Sequence, residues 1–292
     1  MVKRRGVLVV ALLALFCVIA VSVTYIHLTQ QSGRVAGEKG IGVVVTILPQ
    51  ADFVYKVADD KVRVTVMVPS GASPHTYEPI PAQLRAVSKA KIYFKVGSGV
   101  DFERVWMGKI LAANPDIQVV NCSTGITIIG NDPHIWNSPA NAKIMVRNIC
   151  NGLIERDHEN ATYYMANRDK YLQELDKLNS YIHDRLDRFT KKRVFMIYHP
   201  AFGYYAKEYN LTQIAIEREG KSPSPKVIQD CIDKAREYNL SYIYAAPQFV
   251  TEGVRVIAHA IGGQMDSMDP LPSDYVANMR SITDSIAGEL EH

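Results

Sequence analysis

Short apolar stretches alternate with helical stretches from residue 42 to the C-terminus, and this alternation restricts the chain to α/β folds. The strand candidates are rich in Val, Ile and Tyr and are bounded by Pro, Gly, Ser or Asn, as strands commonly are. Repeated β-α-β order gives parallel sheets covered by helices. We therefore expect two Rossmann-like parallel-sheet lobes. The predicted strands are Val43–Leu48, Val62–Val66, Lys91–Val96, Gln118–Asn121, Arg193–Ile197, Gln213–Ile216, Tyr242–Ala245 and Gln264–Ser267.

One segment between the two α/β halves, Asn160 to Phe189, contains neither Gly nor Pro. Its apolar residues recur mostly at three- and four-residue steps, which predicts an amphipathic helix about 45 Å long at 1.5 Å per residue. An ordinary long helix of one lobe would show the same pattern. The prediction that this helix is a rigid spacer between the lobes therefore depends on its position alone.

The N-terminus carries an apolar run of 21 uncharged residues, Gly6 to Ile26, which is long enough to cross a hydrocarbon core of about 30 Å. The basic residues Lys3, Arg4 and Arg5 precede it, so the rest of the chain should lie outside the cell. The run is longer than the apolar region of a usual cleaved signal peptide, which favours an uncleaved anchor in the cell membrane.

These patterns divide the chain into five segments. A membrane anchor or signal segment (1–28) and a flexible tether (29–41) precede an N-terminal α/β lobe (42–158), a linking helix (159–190) and a C-terminal α/β lobe (191–292).

Charge and cysteine content exclude some classes of partner and site. Apart from the three basic residues at the N-terminus, the chain has 30 basic and 30 acidic residues, whereas a nucleic-acid-binding domain has a basic excess. We expect no nucleic-acid partner and a monomeric ectodomain.

Three cysteines lie beyond the anchor, Cys122, Cys150 and Cys231, which is an odd number without a CxxC motif. Buried free thiols are favoured, with a Cys122–Cys150 bridge as the alternative.

Three of the eight histidines lie on Pro-stiffened loops or at strand ends. His75 follows a strand in the sequence Ser73-Pro74-His75, His134 follows Pro133, and His199 follows a strand and precedes Pro200. Ligands bind at the carboxyl ends of strands in open α/β sheets, and imidazole suits zinc and other borderline divalent ions. These histidines are the predicted metal ligands.

The last predicted strand offers a fourth ligand. Asp269 lies at the strand exit before Pro270, whereas Asp266 lies inside the strand and points to a face of the sheet. We choose Asp269 as the fourth ligand and keep Asp266 as the alternative.

At these residues the chain resembles the zinc/manganese substrate-binding protein family of ABC importers, also called cluster A-I or TroA-like. The resemblance spans residues 43–286 and is carried by the motifs PHTYEP at 74–79, VGSGVDFE at 96–103, DPHIW at 132–136, YHPAFGYY at 198–205, IEREGKSPSP at 216–225 and DPL at 269–271.

The family resemblance implies two α/β lobes joined by a long helix, with a metal ion between them. It places the ligands on His75, His134, His199 and Asp269. Manganese-type relatives resemble this pattern with a carboxylate at the third position, so His199 favours zinc, with manganese second. The chain departs from many members in two respects: residues 125–132 form no His-rich loop, and the N-terminal segment has no good lipobox.

The leading hypothesis is an extracytoplasmic receptor that captures zinc and delivers it to an ABC-type metal permease, without enzymatic activity. The first alternative is a zinc-dependent hydrolase that uses the three histidines, with Glu217 or Glu219 as its base; neither HExxH nor GxSxG is present. The second alternative is a metal-binding adhesin.

Overall fold

The computed structural model describes residues 40–217, 222–246, 249 and 252–291. The predicted membrane segment and residues 29–39 of the predicted tether lie outside these ranges. Within the described ranges, no helix has the length and apolar character needed to cross a membrane.

The N-terminal lobe is built on a four-stranded parallel sheet in the order β2-β1-β3-β4. Its strands are β1 (Ile41–Val45), β2 (Val62–Val66), β3 (Ile92–Lys95) and β4 (Gln118–Asn121). The helices of this lobe are α1 (Leu48–Ala58), α2 (Pro81–Val87), α3 (Asp101–Ala113) and α4 (Pro139–Arg156). The prediction of strand up to Leu48 is wrong, because α1 begins there with Pro49 in its first turn, where proline's fixed φ suits a helix start.

The C-terminal lobe repeats the same strand order in a second parallel sheet, β6-β5-β7-β8. Its strands are β5 (Val194–Ile197), β6 (Thr212–Ala215), β7 (Tyr242–Ala245) and β8 (Gln264–Ser267). The helices that follow α5 (Ala161–Leu186) are α6 (Gly203–Glu208), α7 (Pro225–Glu237), α8 (Glu252–Ala260) and α9 (Tyr275–Leu290). The prediction of two parallel-sheet α/β lobes is confirmed.

Helix α5 links the two sheets in sequence and is the longest helix among the described residues, with 26 residues and a length of about 39 Å. It packs against α1 and α4 of the first lobe and against α9 of the second. Its buried residues recur at the three-, four- and seven-residue steps of one helix face; they are Tyr164, Tyr171, Leu175, Leu178, Ile182 and Leu186. The helix therefore contributes apolar surface to both lobes.

The two lobes share one apolar core, which contains both Trp136 of the first lobe and Tyr275 of the second. Polar contacts cross the same junction: the Trp136 indole donates to the Pro270 carbonyl (2.6 Å), and the Asn137 side chain donates to the Ala201 carbonyl (2.9 Å). A second, smaller core lies within the C-terminal lobe, between its sheet and helices α7 and α8. The continuous core fixes the loops that face each other at the junction.

The cysteines of the described part of the chain, Cys122, Cys150 and Cys231, are all buried, and Cys122 and Cys150 are free thiols. The favoured prediction of free thiols agrees with this state, and the alternative Cys122–Cys150 bridge is not formed.

Candidate metal centre

The carboxyl ends of the two sheets bring three distant histidines together. His75 lies in the loop after β2, His134 lies in the loop between β4 and the 3₁₀ turn Ile135–Asn137, and His199 follows β5. The Nε2 atom of His199 lies 3.2 Å from Nε2 of His75 and 3.1 Å from Nε2 of His134. Among the described residues, these three histidines form a group that could hold a metal ion, because one ligand atom of each lies within 4.8 Å of the other two.

The Nε2 separations fit a small divalent ion. Zinc binds imidazole nitrogen at about 2.0–2.1 Å in tetrahedral geometry, which places two ligand nitrogens about 3.3–3.4 Å apart. The observed separations of 3.1 and 3.2 Å are slightly shorter than that distance. Small rotations of the rings would open the cluster to the required size.

Each of the three histidines has a carboxylate at its other ring nitrogen. The Nδ1 atom of His75 lies 2.8 Å from the Asp101 carboxylate, and Nδ1 of His134 lies 2.7 Å from the Asp132 carboxylate. The Nδ1 atom of His199 lies 3.0 Å from the Glu217 carboxylate. An ionised carboxylate only accepts hydrogen bonds, so Nδ1 carries the proton and Nε2 carries a lone pair. Three lone pairs therefore converge on one point, an arrangement that a cation stabilises and that carboxylate–histidine–metal sites share.

Local structure places each of these carboxylates. Asp101 is the first residue of α3, where an acidic side chain interacts favourably with the helix dipole. Asp132 also accepts the backbone N–H of His134 (2.9 Å). Its carboxylate lies against Gly203, where an added Cβ would approach Oδ2 to 2.5 Å, so a side chain at that position would displace Asp132. Glu217 is buried just after β6.

A buried acid in the first lobe holds the loop between His75 and His134. Glu103 accepts the backbone N–H groups of Val96 (2.6 Å) and Gly97 (2.9 Å), and burial raises its pKa. The next residue in this loop, Ser98, donates its hydroxyl to the Pro133 carbonyl (2.5 Å), directly before His134. Glu103 thus positions the loop that contacts the residue before His134.

Burial also sets the charge of His134. His134 is almost fully buried, and desolvation lowers its pKa below the ordinary histidine value, although Asp132 opposes this shift. The lower pKa favours the neutral imidazole, which is the form that coordinates a metal.

The predicted fourth ligand, Asp269, is not among the atoms that converge. Its carboxylate accepts the backbone N–H of Leu271 (2.9 Å), and burial raises its pKa. The alternative, Asp266, accepts the hydroxyl of Ser285 on α9 (2.6 Å). Direct ligation by Asp269 stays a prediction and requires its carboxylate to move from the Leu271 amide to the ion.

The three histidines line two cavities of different size. One is an apolar pocket of about 10 Å³ that Trp136, Phe249, Pro270 and Leu271 also line, and it has room for no more than about one water-sized sphere. The other is an open cleft of about 630 Å³ with both polar and apolar lining. The described residues that line this cleft, besides the three histidines, are Gly99, Asp101, Arg104, Ile129, Asn131, Asp132, Pro133, Pro200, Gln213 and Glu217.

Sequence reasoning did not assign the supporting residues of the site. Asp101 and Asp132 stand inside motifs that were recognised, and Glu217 was considered only as a base for a hydrolase. Asp132 could have been found from its position in the sequence, because it lies two residues before His134 with a proline between them. Phe249, whose ring stacks on His199 at a centroid distance of 4.9 Å, had no such signal because it comes from a loop distant in sequence.

Comparison with known proteins supplies the family. The profile of the family described as zinc-uptake complex component A, periplasmic (ZnuA), matches residues 43–289. The manganese-binding lipoprotein MntA of Halalkalibacterium halodurans is 29% identical over 74% of this chain and 74% of its own length. The high-affinity zinc uptake system protein ZnuA of Bacillus subtilis is 27% identical over 92% of this chain and 89% of its own length. A crystal structure of ZnuA superimposes with a TM-score of 0.83 at 38% identity, covering 86% of this chain and 100% of that one.

Proposed function

The chain belongs to the ZnuA family of zinc-uptake proteins, and on that premise we propose that it captures a divalent transition-metal ion outside the cell for an ABC importer. The ion is cargo: the protein binds it and passes it to a permease in the membrane. Zinc is the first choice of ion and manganese is the second. His75, His134 and His199 are the proposed ligands, and Asp269 is the proposed fourth.

The observation that carries this proposal is the convergence of three Nε2 lone pairs. Each imidazole is oriented by a carboxylate at Nδ1, and the three rings come from loops of both lobes. Three neutral imidazoles and one carboxylate form a closed four-ligand set of the kind that holds zinc without a substrate water. A receptor needs such a set, whereas a hydrolase needs an open position and a free base.

The hydrolase alternative is less well supported because the carboxylates near the cluster are engaged. Asp101, Asp132 and Glu217 all accept a hydrogen bond from a histidine. Glu219 lies outside the described residues.

Purified protein should contain zinc at a ratio of one ion per chain and show no zinc-dependent turnover of ester, peptide or phosphate substrates. Hydrolysis that is lost on zinc removal and restored by zinc would contradict the receptor proposal.

We propose that the N-terminal segment holds this receptor at the outer face of the cell membrane. Its apolar run and preceding basic residues support an anchor with the metal-binding part outside. Several relatives are named lipoproteins. In this chain bulky Phe16 precedes Cys17, so the segment has no good lipobox.

Replacing His199 with Glu should shift the preference of the site from zinc toward manganese. A carboxylate oxygen is a harder ligand than imidazole nitrogen, and manganese prefers oxygen ligands more strongly than zinc does. Competition titrations with both ions should show a lower zinc-to-manganese affinity ratio in the variant. An unchanged ratio would show that the third position does not determine selectivity.

Zinc affinity should fall as the solution is acidified. A proton on Nε2 competes with the metal, and the ordinary histidine pKa is about 6.5. Because burial lowers the pKa of His134, this ligand resists protonation to a lower pH than an exposed histidine does. We therefore expect affinity to change little above about pH 7 and to fall steeply below about pH 6, with proton uptake on metal release. Affinity that stays constant from about pH 7.5 to 5 would argue against three histidine ligands.

A further inference from the structure

The turn that follows His134 is hydrogen-bonded across the junction between the lobes. The side chains of residues 136–138 donate in order to the Pro270 carbonyl, the Ala201 carbonyl and the Glu208 carboxylate. All three acceptors belong to the second lobe, and Ala201 lies two residues after His199. The position of His134 relative to the second lobe therefore depends on this short turn.

Within the turn, Asn137 connects the backbones of two of the histidines. Its N–H donates to the His134 carbonyl (3.2 Å), and its side-chain Nδ2 donates to the Ala201 carbonyl (2.9 Å). The Ala201 N–H donates in turn to the His199 carbonyl (2.8 Å). One residue thus joins the loop of His134 to the loop of His199, and the Nε2 atoms of these histidines lie 3.1 Å apart.

The buried amide of Asn137 is not an efficient source of stability. The residue is 1% exposed, and its Oδ1 atom has no hydrogen-bond partner among the described residues. A buried acceptor without a donor loses its hydration without compensation, which opposes folding. The favourable contribution of the amide is its Nδ2 bond to Ala201, and that bond fixes the distance between the two histidine loops.

From this arrangement we propose that Asn137 is a positioning residue that keeps His134 and His199 at the spacing of a small ion and so favours Zn²⁺ over larger divalent ions. This inference rests on the proposed function and concerns the selectivity of the same site. The Nε2 atoms, 3.1 Å apart, are slightly closer than the distance of about 3.3–3.4 Å that zinc requires, and a larger ion must separate them further. A hydrogen bond between the two loops resists this separation more strongly as the ion becomes larger.

Asn137→Leu removes the cross-lobe hydrogen bond with a side chain of similar branched shape. The matched control is Asn167→Leu. Asn167 on α5 also donates through Nδ2 to a backbone carbonyl, that of Val57 on α1 (3.1 Å), and it lies on neither histidine loop. Both variants lose one amide-to-carbonyl bond, but only Asn137→Leu changes the connection between the histidines. If either leucine variant does not fold, Asn137→Ala and Asn167→Ala make the same comparison without added bulk.

Competition titrations with Zn²⁺ and the larger ion Cd²⁺ measure the effect on selectivity. The metal ligands are the same in parent and variants, so intrinsic differences between the two ions in ligand preference cancel. We expect Asn137→Leu to lower zinc affinity by about fivefold and to change cadmium affinity by less than about twofold, because a net hydrogen-bond contribution corresponds to a factor of this size. The zinc-to-cadmium affinity ratio should therefore fall, whereas Asn167→Leu should keep the ratio of the parent.

The ratio also distinguishes positioning from a purely structural role. Calorimetry of the metal-free variants gives their loss of stability, and a structural role alone would weaken the binding of both ions equally. The inference is overturned if Asn137→Leu keeps or raises the zinc-to-cadmium ratio, or if Asn167→Leu lowers it by the same factor. A parent protein that binds neither ion defeats the proposed function, whereas a parent that binds zinc, with an unchanged ratio in Asn137→Leu, defeats only this inference.

Discussion

Replacing His134 with alanine is expected to lower zinc affinity by more than about hundredfold. Loss of a hydrogen-bond partner of a metal-ligating histidine typically costs 10–100-fold in affinity, and loss of the ligand itself should cost more. His134 lies 3.1 Å from His199 through their Nε2 atoms and is the most deeply buried of the three histidines. Its removal therefore takes one of the three imidazole ligands out of the cluster. Competition with a zinc chelator of known affinity measures the effect.

His183→Ala is the matched control for this prediction. His183 lies on the exposed face of α5 and pairs with Asp187 through Nδ1 (3.0 Å), away from the converging nitrogens. It also has a carboxylate partner, so it controls for the loss of a carboxylate-paired imidazole. The variant should bind zinc as the parent does. Zinc affinity that is unaffected by His134→Ala, or equally weakened by His183→Ala, would contradict the assignment of His134.

Replacing Trp136 with alanine is expected to destabilise the metal-free protein by about 3–5 kcal/mol. The indole is fully buried in the core shared by the two lobes, and its N–H donates to the Pro270 carbonyl of the second lobe (2.6 Å). Truncation creates a cavity and leaves that carbonyl without its donor. For a chain of this size the melting temperature should fall by about 10 °C, which calorimetry in the presence of a chelator would measure.

The other tryptophan of the chain supplies the control. Trp106 on α3 is partly buried, and Lys109 lies over its ring at 4.2 Å, so Trp106→Ala should cost clearly less stability. Trp136→Phe keeps most of the apolar volume and should cost about 1–3 kcal/mol for the unsatisfied carbonyl. If Trp136→Ala unfolds at the same temperature as Trp106→Ala, the core at the junction does not couple the lobes as described.

Much of this architecture follows from local sequence patterns. Strands such as Val62–Val66 and Tyr242–Ala245 occur at the predicted residues because short β-branched or aromatic runs, bounded by turn residues, need no distant information. The boundary at Leu48 was missed because an apolar run suits both a buried strand and the first turn of a buried helix.

The three histidines were predictable because proline and strand ends distinguish their loops. Their carboxylate partners were harder to predict. Glu217 lies 18 residues from His199, and Asp101 lies 26 residues from His75, so only the packed loops bring each pair together. The position of Asp269 shows the same limit. The sequence predicted Asp269 as a ligand, but its carboxylate accepts the Leu271 N–H instead, and this hydrogen bond depends on the local backbone.

Anomalous diffraction at the zinc absorption edge, from crystals grown with zinc, shows whether the three histidines hold one ion. We expect one strong anomalous peak between the lobes, about 2.0–2.1 Å from Nε2 of His75, His134 and His199. The Nδ1 atoms of these histidines should stay bonded to Asp101, Asp132 and Glu217. A peak elsewhere in the molecule, or any one of the three Nε2 atoms more than a hydrogen-bond length from the ion, would contradict the account.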